Sequence, residues 1–289
     1  MQTTKNTQWL YTISAKRPLI HFNFREIWRY RDLLILFVKR DVITVYKQTL
    51  LGPLWYFIQP LFTALVFTLI FNNLANIPTG NGVPGFLFNL AGVTLWNYFK
   101  ACLSGTSNTF VKNQNIFGKV YFPRVIMPLS TVISNLVKFG IQILIFIVFY
   151  LYYFFVKDAN VAPTAELIGF PVLVLFMGLL GLGLGMIISS LTTKYRDLSF
   201  LVTFGVQLLM YGSAVMYPLS YFKEKLPKYS WIIEYNPISA LIESFRHMTI
   251  GVGQFSLGYL SYAIAISTII FPLGLIVFNR TEKQFIDTV

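Results

Sequence analysis

The sequence predicts an all-α integral membrane protein: six transmembrane helices, an amino-terminal interfacial amphipathic helix, and an outer-side helical hairpin before the last helix. Three observations predict it. Hydrophobic residues make up 55% of the 289 and charged residues 12%. An ordinary soluble domain carries about 25% charged residues, and such a deficit is tolerable only where much of the surface faces lipid. The apolar residues fall into runs of about 20, the length of a helix that crosses the hydrocarbon core. The net charge of +12 is gathered in short blocks between those runs. Membrane proteins carry Lys and Arg in this way, whereas a nucleic-acid module sets them along one polar face, so nucleic acid is not an expected partner.

The spans are taken in chain order. The first, about Pro53–Ala75, lies in a stretch from Gln48 to Phe99 without a charged residue. An uncharged loop with Gly and Pro, Asn76–Pro84, leads to the second span, about Gly85–Thr106. The polar stretch Ser107–Arg124 carries Lys112, Lys119 and Arg124. The third span, about Val125–Phe155, is longer than a bilayer needs. The fourth is about Leu167–Leu191, and a tight loop, Thr192–Asp197, leads into the fifth, about Leu198–Pro218. An outer segment, 219–256, precedes the last span, about Leu257–Phe278, which ends at Asn279-Arg280. With the amino terminus inside, the inner segments 1–52, 100–124, 192–197 and 280–289 hold seventeen of the 23 basic residues, and the outer segments hold five. Both termini are therefore expected in the cytoplasm. The organisation is a tail over 1–22, the interfacial helix over 23–52, the six-helix domain over 53–278 and a tail over 279–289.

Two segments are neither spans nor loops. Asn23 is a candidate N-cap with Glu26 three residues on. The apolar run Leu33–Val38 is too short to cross, and Arg25, Arg29, Arg31, Asp32, Lys39, Arg40 and Lys47 flank it. This is the pattern of a helix lying in the inner interface, with an ordinary soluble helix as the alternative. In the second segment, Pro218–Gly253, Asn236-Pro237 is a helix start and Gly251 a stop. Ile238, Leu241, Ile242, Phe245 and Met248 share one face, while Glu243, Arg246 and His247 lie elsewhere. A paired or re-entrant hairpin at the outer surface is the favoured reading, and an outer amphipathic helix the plainer one.

The residues also exclude chemistry. No Gly-x-x-x-x-Gly-Lys-Ser/Thr loop occurs, and Gly118-Lys119 lacks both the earlier glycine and the following hydroxyl, so ATP binding by this chain is not expected. The predicted spans contain no Asp or Glu, which argues against ion coupling. The single Cys102 allows no intrachain disulfide. His21 and His247 have no companion ligands, so no metal site is expected. A glycolipid-synthesising enzyme would need clustered carboxylates; the close pairs, Glu26 with Asp32 and Glu282 with Asp287, have plainer roles, and no catalytic residue is assigned. Residues 1–20 are polar and do not read as a cleaved signal.

Residues 27–61, from Ile27 through Arg31-Asp32-Leu33, Tyr46-Lys47-Gln48, Leu51-Gly52 and Trp55 to Gln59-Pro60, resemble the opening of type-2 ABC transporter permeases. The resemblance is to permeases that export polysaccharides, of O-antigen and of teichoic-acid or capsule types, with a drug or lipid exporter of the wider superfamily as the remaining alternative. Further resemblances occur in order at 117–130, at Lys194–Leu198, at Tyr235–Arg246 and at Glu282–Asp287. The resemblance implies a homodimer working with two copies of a separate ATPase subunit that binds ATP and Mg. It also implies a polyprenyl-diphosphate-linked glycan, O-antigen type favoured, moving through a channel between the two permeases in the bacterial inner membrane.

The same resemblance turns Lys112, Asn113, Gln114, Asn115, Phe117 and Lys119 from a solvated loop into candidate ATPase contacts, with Tyr195, Arg196 and Asp197 as a second set. Arg196 and Asp197 could instead cap and pair helix ends. Lys100 and Lys138 interrupt apolar helices. Either they snorkel to the inner interface, or they attract the glycan's diphosphate. Trp55, Tyr56, Phe57, Trp96, Tyr98 and Phe99 either anchor and pack helices or line the sugar path. Gly178, Gly181, Gly183 and Gly185 in the fourth span suit close helix packing, or a sliding contact.

Overall fold

The computed structural model describes residues 24–47, 54–80, 82–120, 122–195 and 197–286, with side chains except those of 24, 45–47 and 283–286. The expected N-cap Asn23, the tail 1–22, Gln48, Leu51-Gly52, Arg196 and Asp287 lie outside the described residues. Those described form helices and connecting turns, with no strand among them.

The interfacial segment forms two helices, α1 (Phe24–Arg29) and α2 (Arg31–Lys47), that bend at Tyr30. The first span is α3 (Trp55–Phe67), continued by a π-helical turn, Thr68–Leu74. The second is α4 (Gly85–Thr106), with the bounds the apolar run predicts. The polar stretch holds two single turns, α5 (Thr109–Lys112) and α6 (Gln114–Phe117). After them come α7 (Ile126–Phe155), a 3-10 turn (Ala165–Gly169) leading into α8 (Phe170–Lys194), and α9 (Leu198–Tyr211). The segment expected to form a hairpin holds α10 (Leu219–Lys225), α11 (Ser230–Glu234) and α12 (Pro237–Ile250), and α13 (Leu257–Ile286) closes the described chain.

Four segments are long and apolar enough to cross a bilayer: Trp55–Leu74, Ile126–Phe155, Ala165–Lys194 and Leu257–Glu282. The remaining two expected spans differ from them for physical reasons. α4 has 22 residues, about 33 Å at 1.5 Å each, but carries Asn89, Asn97 and Lys100. It packs against α3, α7, α8 and α12, and most of its side chains are buried. A helix wrapped in other helices does not have to be soluble in lipid. α9 is shorter than expected. Its 14 residues span about 21 Å, and the chain leaves the helix at Gly212, short of the Pro218 that hydropathy predicts.

The reason lies in two residues of the hairpin. The Asn236 side chain caps α12 by accepting from Ile238 N at 2.9 Å, and its Nδ2 donates to the carbonyl of Gly212 at 2.7 Å. Arg246, fully buried, donates from Nη1 to Ala214 O at 2.7 Å and from Nη2 to Val215 O at 2.5 Å. Its Nε reaches Phe88 O at 3.4 Å, and the guanidinium lies 3.7 Å from the centre of the Phe88 ring. Carbonyls that would have continued α9 are thus satisfied by side chains. Glu243, equally buried, accepts from Arg246 Nη1 at 3.0 Å, and its second oxygen accepts from Gln254 N at 3.0 Å. Burial pulls the Arg246 guanidinium below its ordinary value, and Glu243 opposes that.

Glu243 and Arg246 lie away from the apolar face and are nevertheless fully buried. α12 is buried nearly all round, against α4 and α13. It stops at Gly251, whose φ of 71° is the left-handed conformation glycine adopts without strain. Gly92 of α4 is required too: a Cβ there would collide with Arg246 Nη2.

The fourth-span glycines pack tightly. A Cβ on Gly178, Gly181 or Gly185 would meet Tyr98, Cys102 or Thr106 of α4, and one on Gly183 would meet the α13 backbone at Ile270 and Phe271. A Cβ on Gly274 would collide with the Gly183 carbonyl.

Arg246→Lys is expected to destabilise the protein by about 3–5 kcal/mol, as for a broken buried pair. A Lys ammonium is a point donor and cannot replace a planar fork that reaches Ala214, Val215, Phe88 and Glu243 at once. Thermal unfolding in detergent checks this; an unchanged midpoint would show that charge alone suffices.

Candidate functional site

The end of the molecule that carries α1, α2, the 107–124 stretch and the α8–α9 turn is basic, and an aromatic joint sits inside it. Phe110 of α5 stacks on Phe278 of α13, with centroids 4.5 Å apart and planes at 25°. Phe117 of α6 lies 6.0 Å from Phe110 and 5.9 Å from Phe122, and Phe122 lies 5.7 Å from Phe37 of α2. Leu33 and Leu34 of α2 and Met186 of α8 pack into the same cluster. Arg124, 7% exposed, sets its guanidinium 5.0 Å from the Phe117 ring centre. It donates from Nη1 to the Glu282 carbonyl at 3.2 Å, with Nε 3.9 Å from the Glu282 carboxylate. Thr192 of α8 donates to Ser107 O at 3.0 Å. The interfacial helix, the polar stretch and the last helix therefore share one small core.

Above that core the candidate contacts separate. Lys112, Gln114, Asn115 and Lys119 are exposed, and Asn113 is half-buried. Val111 and Val120 beside them are 52% and 56% exposed. Apolar side chains left open among polar ones suit a protein partner better than water. Tyr195 is 50% exposed, and Asp197 is exposed. Phe117 differs from its neighbours: at 7% exposed it anchors the segment and offers no surface. Arg25, Arg29, Arg31, Asp32, Lys39 and Arg40 are exposed on α1 and α2. Trp28, Ile35, Leu36 and Ile43 are exposed beside them, which matches a helix with one edge in lipid and cations at the headgroups.

The expected substrate-path residues do not form one set. Trp96, Tyr98 and Phe99 are core residues at 2%, 4% and 0% exposure. Trp96 packs on Phe99 at 5.5 Å and Tyr98 on Phe139 at 4.9 Å, because α4 is the central helix. Trp55 and Phe57 are open at 50% and 38%, and Tyr56 is half-buried. Lys100 is exposed. Lys138 is half-buried, donates to Asn135 Oδ1 at 3.1 Å and lies 5.7 Å from the Tyr56 ring centre.

Sequence reasoning missed Phe110, Phe278 and the Arg124–Glu282 contact. Nothing in a single chain pairs residues 158 positions apart. Glu243 and Arg246 did leave a signal: opposite charges at i and i+3, a spacing that lets them pair on one side of the helix.

A family model described as ABC-2 type transporter matches residues 32–250. The chain belongs to this family. Among curated relatives of this ABC-2 permease, two O-antigen export system permease proteins RfbA of Klebsiella pneumoniae are each 28% identical over 258 residues. That is 89% of this chain and 94% of theirs. An O-antigen export system permease protein RfbA of Myxococcus xanthus is 30% identical over 224 residues, 77% of this chain and 82% of its own. The family match of the permease runs from Asp32 in α2 to the end of α12. It covers the α2, α5 and α6 side of the joint and every residue that Arg246 bonds, while Gln254, Phe278 and Glu282 lie beyond it.

Phe117→Ala is expected to cost about 3–5 kcal/mol, as for a buried ring removed from a core. It should speed amide hydrogen exchange across 107–124 while α12 keeps its protection. Equal loss of protection at both ends would show that the joint is not a separate unit.

Proposed function

We propose that this ABC-2 permease is the membrane half of an ATP-driven exporter that moves a lipid-linked polysaccharide, O-antigen type favoured, across the bacterial inner membrane. The observation that carries the proposal is likeness to O-antigen export permeases over nearly nine-tenths of the chain. In this reading α4 and α9 complete six spans, both termini lie in the cytoplasm, and the basic end faces inward, as the excess of Lys and Arg supports.

Two permeases enclose the channel, and two copies of an ABC ATPase subunit bind the ATP and Mg. Closure of the ATPases presses on the surface of Lys112, Gln114, Asn115 and Lys119 and on the turn at Tyr195 and Asp197. The aromatic joint passes that displacement to α2 and α13 at once, since Phe37, Phe117 and Phe278 belong to one core. This chain supplies no catalytic group and holds no cofactor; its work is to convert a push into a change of helix packing.

Lys100 and Lys138 meet the substrate's diphosphate on the inner side. A phosphate entering there needs cations. Lys138 is bound to a neutral amide and a ring, and so keeps two donors free. Trp55, Tyr56 and Phe57 stand where a sugar's C–H face can slide on an aromatic ring.

Affinity purification from native membranes in mild detergent is expected to recover an ABC ATPase in equal amount. Recovery of the intact permease without one sinks the proposal. An ATPase with an added carbohydrate-binding domain fits an O-antigen; one without it turns the reading towards teichoic acid or capsule. Lys138→Gln and Lys100→Gln are expected to lower export in cells while leaving assembly with the ATPase intact. Unchanged export in both removes the diphosphate role.

A further inference from the structure

The end opposite the joint holds a cleft that the export mechanism above does not use. It has a volume of about 460 Å³ and lies among α10, α11, the end of α12 and the start of α13. That falls in the roughly 300–1,000 Å³ range of small-ligand sites. Lys223 and Glu234 line one side as an ion pair at 2.7 Å. Because the pair is closed, the two charges cancel, but the ammonium keeps two donors and the carboxylate keeps acceptor sites. His247 and Phe255 line another side as parallel rings, 4.9 Å apart and 4° from coplanar. Ser256 and Tyr259 complete it. Ser256 Oγ accepts from Tyr259 N at 3.1 Å, so its own O–H remains to donate. The Tyr259 hydroxyl is buried without a protein partner.

The lining is also held in place. The chain between α12 and α13 is pinned where Gln254 N donates to Glu243 at 3.0 Å. Gly253 has a φ of 124°, and a Cβ there would meet Glu243 O at 2.6 Å, so the backbone lies directly on α12. A site whose walls are fixed before binding loses less entropy when it fills.

The composition narrows the ligand. An anion would look for a surplus cation, and Lys223 is already neutralised. An apolar guest would leave the ion pair and the Ser256 hydroxyl dry and unsatisfied. Donors and acceptors together with flat rings match a ring compound with hydroxyls at its edge and C–H groups on its face. We propose that this cleft is a sugar-binding site that takes one neutral pyranose unit of the exported glycan on the outer side, an inference that rests on the export reading. Contact with one unit at a time is weak enough to release the polymer and frequent enough to steer it out.

The test uses the full-length permease in lipid nanodiscs and saturation-transfer NMR with the methyl glycosides of glucose, galactose, mannose and N-acetylglucosamine at millimolar concentration. At least one is expected to give a transfer signal, and Ser256→Ala is expected to weaken its binding about fivefold, the scale of one lost hydrogen bond. The melting temperature of the variant checks that the fold is kept. No signal from any of the four glycosides overturns the site. A signal unchanged by both Tyr259→Phe and Ser256→Ala overturns its location. In cells the same variants are expected to lower export or alter the length of surface glycan; lost binding with unaltered export overturns the exported chain as the occupant. ATPase recovery from the same membranes is read separately, so failure of the cleft and failure of the export reading give different results.

Discussion

One guanidinium holds the far end of this protein together. Removing a charge from water costs several kcal/mol unless hydrogen bonds and a counter-charge replace the lost solvation. Arg246 obtains both only because α9 stops early and frees the Ala214 and Val215 carbonyls. The dependence runs both ways, since those carbonyls would be orphans without the arginine. Gly92 has to lack a side chain to let the guanidinium pass, and Phe88 lies under it. Glu243 completes the arrangement and in the same act fixes Gln254. The end of α9, the whole of α12, the first turns of α4 and the approach to α13 are therefore one decision.

The two ends of the molecule are built from different forces, and this suits different tasks. At the basic end the core contacts are mostly rings on rings, non-directional and tolerant of small shifts, with the Arg124–Glu282 and Thr192–Ser107 bonds beside them. At the far end they are short directional bonds to named backbone atoms. Between them α4 carries a polar rung: Asn89 donates to Asn72 at 2.7 Å and to Thr68 at 3.1 Å, both on the π-helical turn of the first span. A π-turn places one extra residue in the helix, rotates the residues after it, and is common at functional positions. Here it aims Asn72 at α4, and a Cβ on Gly85 would meet that side chain at 2.6 Å. A yielding joint can receive a push, and a rigid frame can keep its shape while the push arrives.

Much of this is legible in the residues. The bounds of α4 come from one apolar run. Asn236-Pro237 and Gly251 mark α12 at both ends, and the structure shows the expected cap bond and the expected left-handed glycine. Gly178, Gly181, Gly183 and Gly185 do pack close, as small residues in membranes should. The illegible part depends on distant partners. Hydropathy carries the fifth span on to Pro218, because Gly212–Pro218 holds no charged residue, and only Asn236 and Arg246 explain why it is not helical. Trp96, Tyr98 and Phe99 read as path residues because aromatics line paths and cores alike, and α4's central position decides for the core. Phe117 sits in a polar stretch and reads as polar-side surface, whereas it is the inward pin of that stretch. Whether an aromatic or a charge faces in or out is set by its neighbours in space, and a single chain does not name them.

The bare crossing of α8 and α13 has a mechanical consequence. With backbone against backbone at Gly183 and Gly274, no side chain can be squeezed or slid there, so that point acts as a fulcrum. Glu282 at the joint lies eight residues to one side of it, and Tyr259 at the cleft lies fifteen to the other. At 1.5 Å per residue these arms are about 12 and 22 Å. For as long as α13 moves as a rod, a shift at its Glu282 end emerges at its Tyr259 end reversed in direction and roughly doubled in size, which makes the last helix a see-saw with its long arm on the cleft side.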